Sequence, residues 1–374
     1  MKILKYYTLL LALSAGFALT SCSDMTEVEA KEFDHVGGYN TLNDEKSEKY
    51  YADLRAYKQS AVNYGRPVAF GWFSNWSPAG TYRRGYLTSM PDSMDIVSMW
   101  SGAPGRFDIT PEQKADKEFV QKVKGTKLLE VTLLSYLGKG RTPAYVYEEV
   151  EKQAEKEGWH ADTRRLAEAK KKARWNYWGF NGEFESESHK AALAKFAKAL
   201  CDSLEANEWD GYDIDWEIGS GVFDMDGTLE TNDHLIYLIK EMNKYIGPKS
   251  DPEGKGHKLI CIDGHYNLLT EKLDGYVDYW IQQAYGYAPS LNNLGFDPRK
   301  LIITENFESS FGSGGQLLKQ AAAMPTEGYK GGVGAYRFDN DYDNTPNYKW
   351  MRQAIQINQK VFNEWKAKQK EAGK

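Results

Sequence analysis

The run Asp210-Gly211-Tyr212-Asp213-Ile214-Asp215-Trp216-Glu217 gathers four acids into one short segment. Successive side chains of a strand point to opposite faces, so in a strand Asp213, Asp215 and Glu217 share one face, about 6–7 Å apart from one to the next. Ile214 and Trp216 take the other face. Three neighbouring carboxylates repel one another when all are ionised. Such a group is suited to keeping one member protonated while its neighbour stays charged, which is a general acid beside an electrostatic partner. The competing readings are a polar strand end or a metal cluster. A solvated strand seldom sets three acids on one face against Ile and Trp on the other.

These residues need a frame that holds a strand end open to a cleft. Short apolar runs alternate with helical patterns along the chain. Candidate strands are Pro67–Phe73, Asp95–Trp100, Lys127–Leu134, Gly211–Trp216, Lys258–Asp263, Tyr276–Ala284, Lys300–Thr304 and Gly331–Tyr336. They are mostly continuous apolar runs, as parallel strands covered on both faces require. Between them, Leu193, Phe196, Ala197, Leu200 and Leu204 form a stripe of helical period. A helix carrying Leu235, Leu238, Ile239, Met242 and Tyr245 is capped by Thr231 or Asn232 and closed by Gly247-Pro248. A last helix carries Trp350, Ala354, Ile357, Val361 and Trp365. Eight strands with interleaved helices predict an α/β fold, a (β/α)8 TIM barrel in a single domain, with a doubly wound sheet as the runner-up. In such a barrel the active site lies at the C-terminal strand ends, and Glu217 ends the fourth strand.

Between the third and fourth strands, Glu148 to Arg174 is highly charged and reads as a solvated helix face. The aromatic run Trp175-Asn176-Tyr177-Trp178-Gly179-Phe180 that follows is either loop core or a ligand contact. Asp224-Met225-Asp226-Gly227 resembles a calcium loop only superficially, because the remaining acidic ligands and the closing Glu are missing. It reads as a tight turn, and neither a metal nor another cofactor is expected.

The amino-terminal residues read as targeting, not fold. Lys2 and Lys5 precede an apolar stretch, Leu9 to Leu19, too short for a stable membrane span. It ends in Leu19-Thr20-Ser21-Cys22, which resembles a bacterial lipoprotein cleavage box. The expected organisation is a lipoprotein signal peptide over 1–21, a lipidated Cys22 with a flexible tether over 22–55, and the barrel over 56–374. The acidic residues after Cys22 resemble the surface-export signal of Bacteroidetes lipoproteins. The expected place is the outer membrane of a Gram-negative bacterium, lipid-anchored, at the cell surface. Net charge is −6, which argues against a nucleic-acid partner. Cys201 and Cys261 look like buried small hydrophobes, although spacing leaves a disulfide between them open. A monomer is expected. Aromatics make up 14% of the chain, with 11 Trp and 25 Tyr. Sugar rings stack on aromatic planes, but large cores use aromatics too.

The pattern Asp-x-x-Asp-x-Asp-x-Glu, complete at Asp210, Asp213, Asp215 and Glu217, resembles the signature of glycoside hydrolase family 18, the chitinases and endo-β-N-acetylglucosaminidases. The resemblance in fold runs from about residue 66 to the end. It implies hydrolysis of a GlcNAc-containing glycan, with Glu217 as general acid and base. Asp215 would orient the substrate acetamide, Asp213 would share a proton with Asp215, and the three would titrate as a coupled group. Asp210, at the strand start, reads as structural. Asp215 and Glu217 approach from one side, so neither easily attacks the opposite sugar face. The C2 acetamide oxygen can attack instead, a route that sets this family apart from glycosidases with a protein nucleophile.

The family's sixth strand carries a Tyr that donates to the acetamide oxygen, and Tyr285 matches it. Gln283 stands where chitinases usually have Met, and a Gln-x-Tyr pair resembles the branch that cuts the chitobiose core of N-glycans. Tyr336 replaces the Trp that chitinases place on strand eight. Trp72 and Asn75, in Phe70-Gly71-Trp72-Phe73-Ser74-Asn75-Trp76, suit sugar contact. Glu130, a charge within an apolar run, is either a site residue or paired inside the barrel, and the first is favoured. Together these residues favour an endo-glycosidase. A non-catalytic surface glycan-binding protein on the same barrel, and a chitinase, are the alternatives.

Overall fold

The computed structural model describes residues 46–100, 109–132, 136–217 and 233–373. Eight parallel strands follow one another in closed order: β1 (Val68–Phe73), β2 (Ile96–Met99), β3 (Lys127–Thr132), β4 (Gly211–Trp216), β5 (Leu259–Gly264), β6 (Tyr279–Gln283), β7 (Leu301–Asn306) and β8 (Gly332–Tyr336). The expected (β/α)8 barrel is therefore observed, and the doubly wound sheet is not. Among the described residues the helices are α1 (Glu48–Gln59), α2 (Pro111–Glu118), α3 (Ala144–Lys156), α4 (Thr163–Trp178), α5 (Glu187–Ala206), α6 (Asp233–Met242), α7 (Thr270–Leu273), α8 (Leu317–Ala322) and α9 (Lys349–Glu371). None of these is long and apolar enough to cross a membrane. The signal segment, Cys22 and the Asp224–Gly227 turn lie outside the described residues.

Contacts group the chain into two units, one of residues 1–98, 110–127 and 283–374, the other of 99–109 and 128–282. In the first, β8 pairs with β1 and with β7, setting Gly334 beside Phe70 and Thr304. Glycines at 332 and 334 are required there, because a Cβ at either would meet a carbonyl oxygen of β1 at 2.5 Å or less. Helix α1 crosses the boundary expected at residue 55. Its Leu54 and Tyr57 are buried, so the folded chain starts earlier than the polar composition suggested. Ser47 caps this helix, and Lys46 and Lys124 both pair with Asp92 at 2.7 Å. Helix α9 buries Met351, Ala354, Ile355 and Phe362 together with Arg352 and Asn358, not the full Trp350–Trp365 stripe. The two polar residues can go inside because they are bonded: Arg352 donates to the Asn347 carbonyl and Asn358 to that of Val68.

In the second unit, β4 pairs with β3 and β5, and β5 with β6. Helix α5 buries Leu193, Phe196, Ala197, Leu200 and Leu204 as its period predicts. In the aromatic run at 175–180, two residues are core while Trp175 and Tyr177 stay half-buried. Trp178 and Phe180 are buried and pack on Phe196 at 5.2 and 6.1 Å. Gly179, at φ +94°, ends α4 and turns the chain between them. Cys201 and Cys261 are buried and free, so no disulfide joins them.

Candidate active site

The register fixes which face of β4 is which. Tyr212 donates its hydroxyl hydrogen to the Leu200 carbonyl of α5 at 3.2 Å, so the even-numbered side chains face the helices. Asp213 and Asp215 therefore face the barrel interior. Asp213 is level with Cys261, and Asp215 with Asp263. Cys261 and Asp263 are in turn level with Tyr279 and Ile281 of β6, and Gln283 follows Ile281 on the same face. Asp213 is fully buried and Asp215 nearly so, while Glu217, just beyond the strand, is partly exposed. Carboxylates thus run from a partly exposed strand end into the buried interior.

Burial, and then the charges of Glu217 and Asp213, push the Asp215 carboxyl up to about 8. Asp215 therefore keeps its proton at neutral pH, and its buried Oδ1 takes no hydrogen bond among the described residues. Asp210 holds the strand start, as expected. Its Oδ2 accepts from the Leu128 N–H at 3.0 Å and its carbonyl from that of Leu259 at 2.8 Å.

Asp263 is the acid that the sequence reading missed. It is buried beside Asp215, and the available signal was a lone carboxylate closing an apolar strand at the end where barrel sites lie. Gly264 follows it at φ +79°, and a Cβ there would come within 2.4 Å of the Trp216 carbonyl oxygen and 3.3 Å of Glu217 Cγ. The absence of a side chain on β5 is what lets the end of β4 and Glu217 sit where they do.

Glu130 is a correction. It is level with Tyr212, hence on the helix-facing side of the sheet, not in the cleft. Its two carboxylate oxygens accept from Arg141 Nη2 at 2.9 and 3.1 Å, and the same nitrogen donates to the Tyr212 hydroxyl at 2.6 Å. A charge on an apolar strand that finds a buried guanidinium partner is structural, not substrate-binding.

In the other unit, Trp72, Tyr336 and Tyr285 form an aromatic run. Trp72 meets Tyr336 edge-on at 6.2 Å, and Tyr336 stacks on Tyr285 at 6.2 Å and 29°. Tyr336 and Tyr285 are partly exposed. Trp72 is 1% exposed and also packs on Phe70 at 4.7 Å. Its expected role as a direct sugar contact is therefore corrected to that of a support beneath Tyr336. Asn75 is held within the protein by the buried Asp339, whose carboxylate accepts from the Asn75 amide and from the Ser74 N–H at 3.0 Å. Asp339 was another unrecognised residue. It ties the loop after β1 to the segment after β8.

The model of glycoside hydrolase family 18, BT1044-like, matches residues 26–166 and 162–308. A solved selenomethionine Glu-to-Gln variant of BT1044 is 29% identical, with a TM-score of 0.63, over 87% of this chain and 95% of that one. An apo endo-β-N-acetylglucosaminidase from Cordyceps militaris is 18% identical, with a TM-score of 0.55, over 84% of this chain and 97% of that one. A doubly substituted form of that protein in complex with fucosyl-N-acetylglucosamine-Asn has 15% identity and a TM-score of 0.52, with the same coverage. At such identities the two Cordyceps militaris structures support the fold alone. No curated protein matches the chain. With the acidic motif complete along β4 and its two ends and the family model spanning most of the sequence, this chain belongs to glycoside hydrolase family 18, in its BT1044-like group.

Proposed function

We propose that this protein is an endo-glycosidase that hydrolyses β-1,4 bonds at N-acetylglucosamine, at the chitobiose core of N-glycans, by substrate-assisted retaining catalysis. The observation that carries the reading is the run of acids on β4, from buried Asp213 and Asp215 to the more exposed Glu217 at the strand end, with burial and the neighbouring charges raising the Asp215 carboxyl to about 8. In the first step the C2 acetamide oxygen attacks the anomeric carbon. The bond to the leaving oxygen breaks as that oxygen takes the Glu217 proton. Asp215 accepts a hydrogen bond from the acetamide N–H. By passing its proton to Asp213, it becomes the negative partner of the oxazolinium ion. Glu217, now a carboxylate, removes a proton from water, which adds to the anomeric carbon and restores the acetamide. Two displacements at one carbon return its original configuration. Tyr285 donates to the acetamide oxygen, and Gln283 favours N-glycan cores over chitin.

Cys22 as lipid anchor and an outer-membrane surface location belong to the same proposal, supported by the amino-terminal sequence alone; a monomeric state is proposed with them. The test is product analysis by mass spectrometry after incubation with N-glycoproteins and with chitin oligosaccharides. Released glycans carrying one core GlcNAc support the reading. Chitin fragments alone would favour a chitinase. Tight binding of a thiazoline mimic without any product would favour a glycan-binding protein.

A further inference from the structure

Tyr285 stands two residues past the end of β6, where the strand ladder no longer holds the chain. Gly286 has φ +81° and no atom within 4 Å of a Cβ placed there, and Tyr287 is 49% exposed. Two buried polar side chains hold the backbone of this turn. Gln320, on α8 and fully buried, donates both amide hydrogens from Nε2, to the Ala284 carbonyl at 2.8 Å and to the Tyr287 carbonyl at 2.9 Å. Glu305, on β7 and 1% exposed, accepts the Gly286 N–H at 2.9 Å through Oε1. The same carboxylate accepts the N–H groups of Asn306 at 2.7 Å and Gln316 at 2.6 Å. Gly315 makes room for it, since a Cβ there would stand 2.7 Å from Glu305 Oε2. Backbone groups on both sides of Tyr285 are thus fixed by residues that are far from it in sequence.

We infer that Gln320 and Glu305 are positioning residues for Tyr285: they set the 284–287 turn so that the phenol rests on Tyr336 with its hydroxyl at one place. The inference rests on the proposed role of Tyr285. A hydroxyl that must meet an acetamide oxygen as charge develops loses effect when displaced by even 1 Å, which can cost on the order of 10²-fold in rate. Gln320→Leu removes both bonds at similar volume. Glu305→Gln keeps the shape but presents one amide nitrogen that cannot accept.

The experiment is a double-mutant cycle of Gln320→Leu with Tyr285→Phe, reading kcat and KM on an N-glycan substrate and melting temperature separately. Gln320→Leu should lower kcat about 10- to 100-fold with KM little changed. On the Tyr285→Phe background it should lower kcat no further. Should Gln320→Leu fail to fold, Glu305→Gln is read in the same cycle. If the wild type shows no turnover, the dissociation constant of a thiazoline mimic replaces kcat throughout. Wild-type values in the single variant, or an equal loss on both backgrounds, would overturn the inference while leaving the proposed function standing. An unchanged reading in Tyr285→Phe itself would remove the role of Tyr285, and this inference with it.

Discussion

Replacing Asp215 with Asn should stabilise the protein, and the gain should depend on pH. Burial and the neighbouring acids raise the folded-state value from 3.8 to about 8. Between those limits the native state holds a proton that the unfolded chain has released. The unfolded state binds fewer protons there, so stability falls as pH rises through that window. A shift of about 4 units at ~1.4 kcal/mol each sets a ceiling of ~6 kcal/mol. Sharing of the proton with Asp213 and Glu217 reduces the effect assignable to one residue to ~2–4 kcal/mol. Asn has a similar shape and no proton to lose. Urea denaturation at steps from pH 4 to pH 8.5 is the assay. The two proteins should be nearly equal at pH 4, and the variant should lead by ~2–4 kcal/mol at pH 8. Parallel stability curves across the whole range would refute the account of a carboxyl held protonated by its surroundings. The same variant should lose turnover, as expected where a site stores unfavourable electrostatics for chemistry.

Glu217→Gln should fold and bind glycan as the wild type does but lose at least ~10²–10⁴-fold in kcat; wild-type turnover would remove Glu217 as the acid. Glu130→Leu should cost ~3–5 kcal/mol by leaving the buried Arg141 without its carboxylate. Its kcat per folded molecule should stay unchanged, and a kcat loss at full stability would return Glu130 to the site. Cys22→Ser should release the protein from the membrane fraction or block its maturation; continued membrane association with normal processing would dismiss the anchor.

The acids of β4 were legible from the chain because a strand has a side-chain period of two. Asp213, Asp215 and Glu217 had to share a face whatever surrounded them. The barrel was legible for a related reason: eight apolar runs separated by helical stripes leave few ways to bury every face. The apolar stripe of helix α5 was readable, though not its buried His189 and Ala192, while the buried face of α9 was not. Arg352 and Asn358 count as polar until their partners are known, the Asn347 carbonyl just before the helix and the distant Val68 carbonyl.

The same limit explains Glu130 and the 284–287 turn. The motif told which residue types stand near the chemistry. It could not tell that Glu130 faces helices, because that depends on its register with Tyr212 and on Arg141. Nor could it reveal Asp263 beside Asp215, or Glu305 and Gln320 around Tyr285. Local periodicity is a property of consecutive residues and survives in the sequence. Which buried charge meets which donor is decided only when strands from different parts of the chain are brought level, because hydrogen bonds and desolvation act over a few ångströms of space and not along the chain.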